Sequence, residues 1–293
     1  MNIRQTLTEH YDKLSPQLQI AALYISSHPE SVVNHSLRKV AEESGVSPPT
    51  YSRLAKAVGL EGGYEELKSL CRQTLSERQS TFGEKAKALQ QYKEGSSSKL
   101  KGTFVVEQAA AAIDNIQNMV ERLAPEKLSE AADLLVAAPT VYIAGGLSSR
   151  SFADYLGYMS SMAFSHWQVL EVGKAPMGII TERLDPNGVM IVISMRPFYG
   201  KVAQLTELAS QAGLKIIALT DCELGPISKH CDYIFNSPSQ SPQFFSSYTA
   251  TLVLLESIMA MVVQRGGEET QKRIESVENL NHQTGEYSDD SLY

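Results

Sequence analysis

Apolar residues recur at helical spacing through the first third of the chain and give way to short unbroken runs after residue 140. Leu18, Ala21, Ala22 and Ile25 repeat at helix period and predict one buried face. Ser15 is placed to cap that helix, and Pro16 suits its first position. His28-Pro29-Glu30 breaks the pattern, and Ser36 is a cap for the next helix. Further helices are predicted over 65–75, with Leu67, Leu70 and Cys71 on one side, and over 107–123 and 125–137.

From residue 141 the period changes. Short apolar runs at 141–144, 169–172, 189–194, 216–220 and 233–236 predict strands. Helical stretches near 149–163, 175–184 and 200–212 separate most of them, and another covers 244–264. Trp167 reads as packing at a strand edge. Buried strands alternating with helices imply a parallel sheet covered on both faces, an α/β three-layer sandwich of the flavodoxin-like kind. The polar Gly95-Ser96-Ser97-Ser98 marks the joint between two domains. The expected division is an all-α domain over 1–77, a linker and connecting helix over 78–124, the α/β domain over 125–266, and a C-terminal part over 267–293 with a last helix (268–280) and a disordered tail (286–293).

Charge separates the same two parts. The 293 residues carry a formal net charge of −7. Through residue 80 there are 9 basic and 9 acidic residues, so the remaining 17 basic and 24 acidic residues hold all of it. A neutral N-terminal domain can bind DNA when its cations share one face, whereas the acidic remainder is not expected to touch DNA. The three cysteines are scattered and read as free thiols of a reducing compartment. There is no secretory leader pattern, and the longest apolar stretch, 249–263, is interrupted by Glu256. The expectation is a cytoplasmic protein without membrane contact. His166, His230 and His282 lack metal-type partners, so no metal or cofactor is expected.

Residues 37–59 have the pattern of a helix-turn-helix. Ala41 lets two helices cross closely, and Gly45, four residues on, suits the left-handed turn between them. Val40, Val46, Tyr51 and Leu54 point inward, Ser47 is expected to cap the second helix, and Pro48 occupies its first turn. That helix would present Ser47, Pro49, Thr50, Arg53 and Lys56 to a major groove, with Arg53 the foremost candidate for a base or phosphate contact. Arg38 and Lys39 on the first helix suit backbone phosphates. Such units act as dimers on paired half-sites.

In the second domain, 141–150 reads as strand, glycine turn and helix start. Gly145 and Gly146 bring backbone close to a ligand, the helix N-terminus favours an anion, and Ser148 and Ser149 add hydroxyls. The third glycine of a dinucleotide fingerprint and the Lys-Ser/Thr of a P-loop are missing. In an open parallel sheet, ligands sit beyond the carboxyl ends of strands. Ser194 and Arg196 end one strand there and Thr220 another. Arg196 is read either as part of an oxyanion site or as a solvated side chain.

On these residues the chain resembles the RpiR/MurR family of bacterial regulators, which join an N-terminal helix-turn-helix to a C-terminal sugar isomerase (SIS) domain. The resemblance spans about residues 3–265. Val46-Ser47 leading to Thr50, Arg53, Lys56 and Gly59 carries it in the N-terminal half. In the second half, Gly145-Gly146 with Ser148-Ser149 resembles the first phosphosugar loop, 217–221 the strand ending in Thr-Asp, and 227–232 the short helix before the last strand. SIS domains commonly carry Ser-x-Ser-Gly-x-Thr after the third strand. Here Ser194-Met195-Arg196-Pro197-Phe198-Tyr199-Gly200 keeps only Ser194, so Arg196 replaces lost hydroxyls with charge or the ligand is a different anion. The resemblance implies a homodimeric or homotetrameric regulator that binds a double-stranded DNA operator and answers to an anionic effector, a phosphosugar, with no catalytic residues. The rival is a sugar-phosphate isomerase with a helical appendage, which requires a general base that no residue context supplies.

Overall fold

The computed structural model describes residues 3–78, 82–91 and 103–287. The joint expected at 95–98 and the end of the tail from 288 lie outside them. Two compact units are formed: a helical one of residues 1–105 with the short segments Cys222–Pro226 and Pro242–Phe245, and a sheet unit made of the rest.

The helical unit contains α1 (Ile3–His10), α2 (Pro16–Ser27), α3 (Pro29–Asn34), α4 (Leu37–Ser44), α5 (Pro48–Ala57), α6 (Gly63–Arg78) and α7 (Phe82–Gln91). Its core gathers Ala21, Ala22 and Ile25 from α2, Val40 and Ala41 from α4, Tyr51, Leu54 and Ala55 from α5, and Leu67 and Cys71 from α6. Apart from Ala41, expected there as a small residue, and Ala55, these are the positions that helical period selected, and Leu18 and Leu70 pack against them partly buried. Two capping expectations are corrected. Ser15 and Ser47 occupy N-cap positions with extended backbone, but neither side chain bonds the helix amides. Ser36 does cap α4, accepting from the Lys39 amide at 3.4 Å.

The sheet unit begins with most of α8 (Thr103–Arg122) and α9 (Pro125–Ala137). β1 (Val141–Gly145), α10 (Ser149–Ala163), β2 (Trp167–Val169), α11 (Met177–Glu182), β3 (Val189–Ser194) and α12 (Gly200–Gln211) follow. The chain continues through β4 (Lys215–Thr220) and β5 (Tyr233–Asn236) to α13 (Thr249–Arg265) and α14 (Gly267–Gln283). All five strands pair in parallel, in the order β2-β1-β3-β4-β5.

Period two along the strands sorts the side chains to two faces. Val141, Ile143, Val189, Ile191, Ile193, Ile217 and Leu219 join α9, α10 and α13 in one core. The intervening Tyr142, Ala144, Met190, Val192, Ile216 and Ala218 join α11 and α12 in the other. The result is the expected three-layer sandwich. Because β1 sits inside β2 and β3, the order reverses between β1 and β3, and their carboxyl ends open a crevice.

Two predicted boundaries move. The strand expected at 169–172 is at Trp167–Val169, where Val141, Tyr142 and Ile143 set its register. Leu170 and Val172 are buried as forecast, but from a turn closed at Gly173, whose φ of 88° ends the extended run. The helix expected from 244 starts at Thr249, because Ser247 bonds the Thr249 hydroxyl at 2.9 Å and holds the preceding residues as a loop.

Candidate functional site

In the helical unit, α4 and α5 are joined through Gly45, whose φ of 71° is the left-handed turn that glycine permits. Arg38, Lys39, Ser47, Pro49, Arg53 and Lys56 are exposed, so the second helix offers a polar, basic face. Lys39 shares its charge with Glu42 at 3.2 Å. Thr50 departs from expectation: it is 1% exposed and turned inward. Its hydroxyl bonds Ser47 Oγ at 2.9 Å and accepts from Arg53 Nη2 at 3.4 Å. The Thr50 hydroxyl therefore links the Ser47 and Arg53 side chains beneath the exposed face of α5.

Glu43 organises the back of this unit. Its carboxylate accepts from Tyr24 of α2 and, at 2.5 Å, from Ser31 of α3, with His35 Nδ1 at 3.4 Å. The Ser31 bond first, and the Tyr24 bond next, hold the Glu43 carboxyl below its ordinary range. One side chain of α4 thus ties α2 and α3 to the first helix of the reading pair.

In the sheet unit, the ends of β1 and β3 border a cleft of about 210 Å³ including its mouth. Gly146, Ser148, Ser149, Ser194, Pro197 and Tyr199 are among its walls. Gly145 is required for packing, since a Cβ there would lie 2.6 Å from the Ser149 carbonyl oxygen. Leu147 holds a φ of 52°, an uncommon conformation for a branched side chain, at the apex of the turn. Two amides that would face an anion are already bonded within the turn, Ser149 N to Gly146 O at 3.1 Å and Arg150 N to Leu147 O at 3.2 Å.

The serines are also engaged. Tyr248, at the head of α13, is bonded through its hydroxyl to Ser148 Oγ at 2.7 Å and Ser149 Oγ at 3.1 Å, and its ring stacks on Phe152 at 4.3 Å. Arg196 does not point its charge into the cleft. Its Nε donates to Asp221 Oδ2 at 2.9 Å and its amide to Oδ1 at 3.1 Å, while Ser239 Oγ donates to Oδ2 at 2.9 Å. Asp221 is 2% exposed in its side chain, so the guanidinium neutralises a buried carboxylate. Thr220 is wholly buried in the sheet and does not line the cleft.

Gly145, Gly146, Ser148, Ser149 and Ser194 are therefore brought together as expected, whereas Arg196 and Thr220 support the cleft from behind. Tyr199, Asp221, Ser239 and Tyr248 are the residues that motif reasoning did not assign a site role. Asp221 follows Thr220 at the strand end and had a local signal. Tyr248 lies a hundred residues from its serine partners and had none.

Residues 1–78 match the model of the helix-turn-helix domain of the rpiR family, and residues 134–261 match that of the SIS domain. An HTH-type transcriptional regulator from Clostridium perfringens is 23% identical over 86% of this chain and 89% of its own length. The HTH-type transcriptional regulator HexR from Pseudomonas aeruginosa is 22% identical over 75% of this chain and 73% of its own. Among solved structures, the Vibrio vulnificus NanR protein complexed with ManNAc-6P superposes with a TM-score of 0.57 at 16% identity, covering 97% of this chain and 99% of that one. The sugar isomerase domain of an RpiR transcription factor from Sphaerobacter thermophilus also gives 0.57, at 20% identity over 59% of this chain and 97% of that one.

Proposed function

Because the chain belongs to the RpiR family, joining its helix-turn-helix domain to a SIS domain, we propose that it is a cytoplasmic transcription regulator whose operator affinity is set by a phosphosugar bound in the cleft between β1 and β3. The observation that carries the reading is the convergence of the Gly145–Ser149 turn and Ser194 at the strand-order reversal. Small residues there admit a ligand to the backbone, and three serine hydroxyls provide its hydrogen bonds. The likeness to NanR, which is complexed with ManNAc-6P, supports a sugar phosphate as the class of effector.

Two copies of the chain present two α5 helices to paired half-sites. Arg53 and Lys56 supply the contacts to bases or phosphates, and Arg38 and Lys39 contact the backbone. The effector acts by binding one arrangement of the pair more tightly than the other, so its binding energy becomes a change in operator affinity. The likeness to proteins named as HTH-type transcriptional regulators favours a sensor over an isomerase.

Ser148→Ala tests the assignment of the cleft. The variant is expected to bind operator as the wild type does while needing at least about tenfold more effector for release, the worth of one lost hydrogen bond to a charged group. An unchanged effector response would remove Ser148 from the site.

A further inference from the structure

Tyr199 stands in the wall of the cleft, beside Gly146, Ser194 and Pro197. Its ring lies over Gly146, where an added Cβ would come within 2.2 Å of Cδ1. Its hydroxyl reaches across to Gly173, where an added Cβ would be 2.8 Å away. One tyrosine from the start of α12 thus bridges the turn after β1 and the turn after β2, and it leaves a cleft of about 210 Å³. The enclosed part of that space is about 10 Å³, room for roughly one water molecule, so a hexose phosphate does not fit beside the ring. On the opposite side, the Tyr248 hydroxyl takes up both Ser148 and Ser149.

We propose that Tyr199 is the gate of the effector site: its ring, packed between Gly146 and Gly173, closes the cleft, and effector binding expels it. This rests on the reading that the effector occupies the cleft. The gate explains why the turns after β1 and β2 carry Gly146 and Gly173 at the two ends of the same side chain. Glycine at both positions is a socket for Tyr199 when the ring is in and a ligand-facing surface when the ring is out. Gating also sets specificity, because only a ligand whose contacts replace those of the ring holds the open form. Tyr248 is exchanged in the same step, since its serine partners are the hydroxyls the effector requires.

Closure lowers apparent affinity by the fraction of molecules that are open. Isothermal titration of wild type, Tyr199→Ala and Tyr199→Phe with N-acetylmannosamine 6-phosphate, glucose 6-phosphate and fructose 6-phosphate tests this. Tyr199→Ala is expected to bind at least about tenfold more tightly than wild type, and Tyr199→Phe, which keeps the ring, within about threefold of it. Binding by Tyr199→Ala alone also supports the gate. Equal or weaker binding by Tyr199→Ala overturns it while leaving the effector reading intact, and no binding by any of the three proteins overturns both. Fluorine NMR of fluorotyrosine-labelled wild type gives a second readout that does not depend on the alanine variant. The Tyr199 resonance, assigned by its loss in Tyr199→Phe, is expected to move when the effector saturates the protein. A resonance unmoved at saturation contradicts the gate.

Discussion

Arg196 Nε lies 2.9 Å from the Oδ2 of Asp221, and this pair fastens the loop after β3 to the end of β4. Asp221 is buried, while Arg196 keeps one edge towards solvent. Asparagine in place of Asp221 keeps one acceptor oxygen but replaces the other with an NH2 group, so the guanidinium loses its counter-charge and part of the Arg196–Ser239 network loses its acceptor. Asp221→Asn is expected to lower stability by about 1.5–3 kcal/mol, the range for hydrogen bonds to charged groups. Combining it with Arg196→Met should cost less than the two single changes together, as for residues in one network. Denaturant unfolding of the four proteins measures this, and strict additivity would argue against the pair.

Gly145 and Gly146 are adjacent but serve different ends. A methyl group at Gly145 meets the Ser149 backbone, which cannot swing aside. Gly145→Ala is expected to destabilise the protein by about 1–3 kcal/mol, as overpacking of a closely fitted position does. Thermal unfolding of the purified variant checks it, and a melting temperature equal to that of wild type would show that the turn relaxes freely.

Glu43 makes stability of the helical unit depend on pH. Its folded carboxyl titrates below the ordinary range, chiefly through the Ser31 hydrogen bond and then that of Tyr24, with His35 and Lys39 adding attraction. A depressed carboxylate contributes stability above its unfolded pKa of about 4.3 and loses that contribution as pH falls through the folded value. Glu43→Gln is expected to melt at lower temperature than wild type at pH 7, with the gap closing below about pH 4.3. A gap that stays constant into that acidic range would mean the carboxylate charge is not what holds α2, α3 and α4 together.

Much of this architecture was legible in the sequence because packing and local signals agreed. Val40, Val46, Tyr51 and Leu54 are buried as helical period required, and Gly45 takes the left-handed turn. The strands β1, β3 and β5 fall where unbroken apolar runs placed them. Misplacements share a cause: an apolar run reports burial, not conformation. Leu170 and Val172 are buried from a turn, and Phe244 and Phe245 precede α13 instead of opening it. In the site, glycines and serines at strand ends were visible because their chemistry is local. The redirection of Arg196 was not, since it depends on Asp221, 25 residues away, becoming buried beside it. Thr50 likewise had the right spacing for a groove contact, but its angular position on α5 faces the core.

The operator affinity of full-length wild type and Arg53→Ala, measured by fluorescence anisotropy on a duplex selected from random-sequence DNA, tests the central claim most directly. Arg53 is exposed on α5 and bonds Thr50 at 3.4 Å, so Arg53→Ala is expected to leave the fold in place and to remove the proposed base contact. The account predicts that wild type enriches a defined sequence and that Arg53→Ala binds that sequence at least about tenfold more weakly, consistent with the roughly 1–3 kcal/mol of one base contact. Failure of wild type to enrich any sequence, or equal binding by the two proteins, would contradict it.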